Sequence, residues 1–181
     1  MPADPAKLER VLGHVFAAGQ LLTLALRHAS TADTRTDSNE RLEFLGDQVL
    51  GLAVAQILYE RFPSEEEGAL ARRFAGLTSR EALARVASDI DLNDFIRSQA
   101  VDAETHKRSL ASVTADTLEA VLGALYLDGG LEPPHAFIAK HWEGLISEDL
   151  SPPKDAKTAL QEWAQGQGLG LPAYEVVSCE G

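Results

Sequence analysis

Residues 39–51 read Asn-Glu-Arg-Leu-Glu-Phe-Leu-Gly-Asp-Gln-Val-Leu-Gly, and this stretch predicts the central helix of the fold. At about 100° per residue, Glu43 and Asp47 lie about 40° apart on one face, and Glu40 lies near that face. Four apolar side chains fall on the opposite side, which we expect to be buried: Leu42, Leu45, Val49 and Leu52. Like charges spaced i,i+4 repel each other mildly, so the acidic face raises the question of which cation it holds.

A second long apolar-periodic segment, residues 110–127, predicts another core helix that ends at Asp128-Gly129-Gly130. Asp116 and Glu119 are spaced i,i+3 on one face of it, about 60° apart. If the two helices pack side by side, the four carboxylates can converge on one cluster, and Mg²⁺ takes hard oxygen ligands of this kind. Two such ions about 4 Å apart can activate water and stabilise a leaving oxygen. Either acid pair alone is more often an ordinary exposed helix face.

Composition limits the class of protein. The chain has 181 residues, 45% of them hydrophobic, which suffices for a packed core, and its net charge is −12. That charge is the wrong sign for a simple nucleic-acid binder, unless divalent cations neutralise clustered acids or basic residues gather on one face. The single cysteine, Cys179, excludes an intramolecular disulfide and a cysteine metal cluster. Neither a secretory signal nor a membrane span is visible, so we expect a cytoplasmic protein without a membrane partner.

The other segments are predicted to be helical up to residue 165. Periodicity and breakers favour helices over residues 5–18, 21–29, 39–60, 64–74, 77–87, 110–127 and 133–146, with a polar link at 99–109. Residues 151–154, Ser-Pro-Pro-Lys, read as a linker. A helix to about residue 165 and a β-prone run over 174–179 follow, so we expect one domain over 1–150 and a fragment of another over 151–181.

Two motifs resemble those of the ribonuclease III family. Residues 39–47 match the family signature at all nine positions, and residues 115–130, from Ala-Asp-Thr-Leu-Glu to Leu-Asp-Gly-Gly, are similar to its second motif. Residues 154–181 resemble the opening of a double-stranded-RNA-binding domain whose later strands and closing helix are absent. The resemblance implies an all-α endonuclease domain, a helical bundle, followed by the first helix and strand of an incomplete α/β domain.

The resemblance also implies an activity and a set of site residues. The expected enzyme is a Mg²⁺-dependent homodimeric endoribonuclease, with Mn²⁺ able to substitute. It would cut double-stranded RNA to leave 5′-phosphates and short 3′ overhangs, in the processing of rRNA precursors and structured mRNAs. The metal ligands are then Glu43, Asp47, Asp116 and Glu119, with Asp47 and Glu119 as the catalytic pair. Glu40 matches a glutamate of the RNA and dimer interface, and Phe44 matches an aromatic that inserts into the partner subunit.

Some expectations rest on the residues alone and leave alternatives open. The densest basic cluster is Arg72, Arg73, Arg80 and Arg85, and Lys107 marks a second basic spot; these either contact phosphates or form ordinary surface ion pairs. Gly46 and Gly51 suit a close approach between helices. A carboxylate-bridged iron bundle fits poorly, because Glu-x-x-His is missing. The remaining alternative is a non-catalytic RNA-binding or scaffold protein, whose mark would be the loss of an acid.

Overall fold

The computed structural model describes residues 5–32, 34–96, 106–148 and 156–173, and all regular structure in these ranges is helical. The α-helices are α1 (Pro5–Leu12), α2 (Gly19–Ala25), α3 (Glu40–Arg61), α4 (Glu67–Leu77), α5 (Arg80–Asp89), α6 (His106–Gly129), α7 (Glu132–His141), α8 (Glu143–Glu148) and α9 (Ala156–Gly166). Single 3₁₀ turns occupy Ala29–Thr31, Arg35–Asp37 and Leu92–Phe95. The expectation of a helical bundle is therefore confirmed for the described ranges.

Helices α3 and α6 form the centre of the bundle. They pack on each other more extensively than any other pair, while α2, α5 and α7 lie against α6, and α4 and α7 lie against α3. The core between them is closed by fully buried large side chains, among them Leu50, Leu58, Leu118, Leu122, Leu125, Ile138 and Trp142. Burial of aliphatic and aromatic side chains at about 1.5–3 kcal/mol each is the main force that fixes the two helices together.

The length of the central helix was predicted correctly, but one of the residues assigned to its buried face was not. It runs from Glu40 to Arg61, within one residue of the predicted 39–60. Leu52, however, is 57% exposed, so its assignment to the core is wrong. The buried face instead comprises Leu42, Gly46, Val49, Leu50, Ala53, Val54 and Leu58. Because the helix is apolar on more than one side, its periodicity alone does not select which leucines face α6.

The first predicted helix is too long. It ends at Leu12 because Gly13 adopts the left-handed conformation (φ 69°), which terminates the helix. Phe16 still reaches the core, but from an irregular segment, and Val15 points to solvent. Helix α6, in contrast, begins at His106, four residues before the predicted start.

The last predicted helix of the domain is two helices. Trp142 separates α7 from α8 and is fully buried, with its indole N–H donating to the carbonyl of Leu77 at 2.8 Å. This bond ties the end of α4 to the α7–α8 junction. The helix predicted up to residue 165 corresponds to α9, whereas the strand predicted over 174–179 lies outside the described residues.

Helix α3 is the one helix in the described ranges with the length and apolar composition to cross a membrane. Its first three turns also carry Glu40, Glu43 and Asp47. It packs against α6, α4 and α7. The core helix of a bundle meets the same criterion of length and composition, and this is the position α3 occupies.

Candidate metal centre

Two glycines bring the backbones of α3 and α6 together. Gly46 lies between Glu43 and Asp47, and Gly123 lies one turn after Glu119. A Cβ on Gly46 would lie 2.5 Å from the carbonyl carbon of Glu119 and closer still to its oxygen. A Cβ on Gly123 would clash with the carbonyl oxygen of Leu42 and would lie 3.1 Å from the Gly46 nitrogen. Neither position therefore admits a side chain unless the helices separate. The glycine crossing therefore sets the distance between the acids of the two helices.

The predicted close approach at Gly51 is wrong. A Cβ there would lie 3.5 Å from the ring of Phe74, an ordinary van der Waals distance. The second glycine of the crossing is Gly123, which the sequence interpretation did not single out. The sequence did indicate a close approach here, because Ala120, Gly123 and Ala124 give this part of α6 unusually small side chains.

Three of the four predicted ligands meet at the crossing. A ligand oxygen of Glu43, one of Asp116 and one of Glu119 all lie within 4.8 Å of one another. The fourth, Asp47, is outside this group, and its Oδ2 accepts a hydrogen bond of 2.7 Å from the side-chain amide of Gln48. Asp47 is on the next turn of α3 and exposed, and it is close enough to the cluster that its charge contributes to the raised pKa of Glu119.

The cluster has an excess of negative charge. Burial raises the pKa of Glu119 to about 7, and the charges of Asp47, Glu43 and Asp116 contribute in the same direction. Burial also raises the pKa of Glu43, followed by the charge of Asp116. The nearby guanidinium of Arg80 opposes both shifts. Half-buried acids held this close favour either a proton or a cation between them.

Arg80 touches the cluster from α5. Its Nη1 lies 3.3 Å from Asp116 Oδ1 and donates to the hydroxyl of Ser112. That hydroxyl in turn lies 3.5 Å from Asp116 Oδ2, as a donor. Ser112 precedes Asp116 by one helical turn and was missed by the sequence interpretation, because a serine at i−4 gives no signal until Arg80 is placed.

The residues fit a divalent cation of the Mg²⁺ type. All donors are carboxylate oxygens, which Mg²⁺ and Mn²⁺ prefer, and they come from two helices whose spacing is fixed by the glycine crossing. Burial, followed by the neighbouring carboxylates, raises the pKa values of Glu43 and Glu119 despite the opposing charge of Arg80, so a cation bound here would relieve an unfavourable environment. Glu43, Asp116 and Glu119 would hold the ion directly, and Asp47 would do so after turning from Gln48.

Glu40 and Phe44, on the first two turns of α3, line a groove beside the cluster. Phe44 is 74% exposed at the edge of a groove of about 650 Å³, which is lined by Leu21, Leu24, Leu42, Leu45, Leu127 and neighbouring polar residues. Glu40 lines the same groove and accepts a hydrogen bond of 3.2 Å from the buried hydroxyl of Ser38. An exposed phenylalanine beside an apolar groove is typical of an interface.

The predicted basic cluster separates into residues with different surroundings. Arg73 is 4% exposed, makes two hydrogen bonds to Glu65 at 2.7 and 2.8 Å, and stacks over Phe62, so its side chain is not available to a phosphate. Arg85 is paired with Glu148. Arg72 is half-buried, with a buried Nε that has no hydrogen-bond partner.

Lys107 lies in the first turn of α6, and its side chain is outside the described part of the structure. Of the basic side chains proposed from sequence, Arg80 is the one that the structure places at the carboxylates.

Comparison with known proteins gives the same assignment over most of the chain. A family model described as Ribonuclease-III-like matches residues 19–143. Ribonuclease 3 of Nitrobacter winogradskyi is 45% identical over 179 residues, covering 97% of this chain and 67% of that protein. Ribonuclease 3 of Azorhizobium caulinodans is 45% identical, covering 98% of this chain and 77% of its own length.

Solved structures extend the likeness to the fold. The nuclease domain of ribonuclease III from Campylobacter jejuni, described for flexibility in a region involved in dimer formation, superposes with a TM-score of 0.68 at 33% identity. The match covers 78% of this chain and 97% of that one. Dicer from Pichia stipitis superposes with a TM-score of 0.57 at 25% identity, covering 91% and 75%. The motifs, the helical bundle and these relatives agree, and the chain belongs to the ribonuclease III family of endoribonucleases.

Proposed function

We propose that this chain hydrolyses phosphodiester bonds in double-stranded RNA with the help of Mg²⁺, leaving 5′-phosphate ends and short 3′ overhangs. The observation that carries the proposal is the convergence of Glu43 from α3 with Asp116 and Glu119 from α6 within 4.8 Å. The relatives are named for ribonuclease activity, and the four acids of the family motifs are all present. The proposed substrates are rRNA precursors and structured mRNAs in the cytoplasm.

The chain's own residues prepare the site for the reaction. When bound, the divalent ion supplies Lewis-acid activation of water and stabilises charge on the leaving 3′ oxygen. Glu119, with its pKa raised to about 7, holds a proton on its carboxylate for part of the time near neutral pH and releases it when positive charge arrives. Asp47 and Glu119 are the proposed catalytic pair. In this proposal the carboxylate of Asp47 leaves the Gln48 amide and turns toward the bound ion. No side-chain nucleophile is needed.

The proposed assembly is a homodimer that places two metal centres along one RNA duplex. Phe44 and the groove beside it supply an exposed apolar element and an apolar recess on the same face of the chain. In a two-fold dimer each phenylalanine could enter the partner's recess, because such interfaces use the same patch twice. The described flexibility of a dimer-forming region in the Campylobacter jejuni domain supports an interface of this kind in the family.

The proposed enzyme recognises the shape of its RNA substrate rather than the base sequence. Double-stranded RNA is recognised mainly through phosphates and 2′-hydroxyls across its shallow minor groove. Residues 1–150 form the proposed nuclease domain, and residues 151–181 form the linker and beginning of a double-stranded-RNA-binding domain. The family match over residues 19–143 supports that division.

The test is cleavage of a long RNA duplex in parallel with the same strand left single. We expect Mg²⁺-dependent cutting of the duplex, 5′-phosphate ends, and a loss of about a hundred- to a thousandfold for Glu119→Gln, which keeps the shape and removes the charge. Glu132→Gln, on α7, serves as the matched control and should cut normally. Duplex binding without cutting by the wild-type protein would instead favour a non-catalytic RNA-binding role.

A further inference from the structure

Arg80 is the first residue of α5 and bridges that helix to the metal centre. Its guanidinium contacts Asp116 at 3.3 Å and the hydroxyl of Ser112, yet its side chain remains 59% exposed. Asp116 is 23% exposed at the rim of the cluster. One part of the guanidinium is therefore engaged by an acid of the cluster while the rest faces solvent.

Arg80 and a divalent cation compete for the same acid. Asp116 supplies one of the three ligand oxygens that lie within 4.8 Å of one another, and it is also the ion-pair partner of Arg80. A cation among these oxygens repels the guanidinium and takes over its partner. A released guanidinium is then a planar donor at the rim of the centre, and this geometry suits a phosphate.

We propose that Arg80 is a positioning residue that alternates between two anions. Before a cation binds, it pairs with Asp116; once the cation has taken Asp116, it turns to a phosphate of the RNA backbone. This inference rests on the proposed function, because it requires both a cation and an RNA substrate. It also gives Arg80 a role different from that of Arg85 on the same helix, which is held by Glu148.

The first measurement is the affinity of the RNA-free protein for Mn²⁺, monitored through the electron paramagnetic resonance signal of free Mn²⁺. Removal of a competing charge near a divalent ion in a solvent-exposed site should tighten Mn²⁺ binding by roughly tenfold in Arg80→Ala. Arg85→Ala removes an equal charge from α5 at a distance from the cluster and should leave the affinity unchanged. Equal or weaker binding of Mn²⁺ by Arg80→Ala would overturn the inference.

The second measurement is the salt dependence of duplex cleavage at saturating Mn²⁺. Loss of one phosphate contact should reduce the slope of log kcat/KM against log salt by about 0.7–0.9 in Arg80→Ala. Arg80→Lys keeps a charge and should retain the wild-type slope. A slope that is unchanged in Arg80→Ala would refute the phosphate contact.

The two measurements separate a failure of the Arg80 role from a failure of the proposed activity. If the wild-type protein binds Mn²⁺ and cuts duplex RNA while Arg80→Ala behaves like it in both measurements, the role of Arg80 alone is overturned. If the wild-type protein neither binds Mn²⁺ nor cuts duplex RNA, the proposed function is overturned together with the inference.

Discussion

A methyl group at Gly46 should damage the metal centre without touching any ligand. In Gly46→Ala the new Cβ would lie 2.5 Å from the Glu119 carbonyl carbon, where ordinary contacts begin at 3.4 Å. Helices α3 and α6 must therefore separate locally by about 1 Å, since the opposing atoms are backbone and have no rotamer to change. Misplacement of reacting groups by about 1 Å costs on the order of a hundredfold in rate. Overpacking of this kind also costs about 3 kcal/mol of stability.

The assay is single-turnover duplex cleavage at saturating Mg²⁺, at a temperature where circular dichroism shows each variant folded. Gly46→Ala should lose about a hundredfold or more in rate. Gly123→Ala, whose Cβ would lie 3.1 Å from the Gly46 nitrogen and closer to the Leu42 carbonyl, should behave in the same way. Gly51→Ala is the matched control on α3: its Cβ meets only the Phe74 ring at 3.5 Å, and the helix gains about 1 kcal/mol in propensity. Wild-type cleavage and stability in Gly46→Ala would refute the role of the glycine crossing.

Three further outcomes follow from the charges and exposed surfaces. Because the folded protein binds the Glu119 proton more tightly than the unfolded chain does, the metal-free protein should lose stability as pH rises from 4.5 to about 7. Glu119→Gln should remove that loss. At pH 8 its free energy of unfolding should exceed that of the wild-type protein by on the order of 1–2 kcal/mol after solvent screening, which is measured as a higher urea midpoint. Equal urea midpoints for both proteins at pH 8 would contradict this. Phe44→Ala should weaken the dimer by about ten- to a hundredfold in sedimentation, whereas Val15→Ala, equally exposed but outside the groove, should not; dimers of equal strength would argue against the interface. Arg73→Ala should lower the free energy of unfolding, because it removes a buried side chain that stacks on Phe62 and pairs with Glu65, and should leave the salt dependence of cleavage unchanged; a reduced salt slope would show that Arg73 contacts RNA after all.

The acids of the site could be found from sequence because they lie in two dense motifs. Carboxylates at i,i+4 and i,i+3 share helix faces whatever the tertiary structure, so their pairing within each helix needed no further information. The convergence of Glu43 with Asp116 and Glu119 depends on how α3 and α6 pack, and it could be expected only from the resemblance to a known family. The orientation of Asp47 toward Gln48 is a rotamer choice that no spacing rule contains.

The errors have local physical causes. Periodicity placed Leu52 in the core because an apolar helix has more than one candidate face. It extended α1 past Gly13 because apolar spacing continued while the backbone turned left-handed. Arg73 was grouped with surface arginines because its ion-pair partner, Glu65, precedes α4 and was interpreted as part of an acidic helix start.

If acids of α3 and α6 form one cation site for cleavage of duplex RNA, removal of either acid should weaken the use of Mg²⁺. The most direct measurement is the Mg²⁺ concentration for half-maximal cleavage in Glu43→Gln, on α3, and Asp116→Asn, on α6. Each change should raise this concentration by about tenfold or more, and the effects should not add in the double variant, because the two acids hold the same ion. A shift in only one of the single variants, or strictly additive effects, would contradict it.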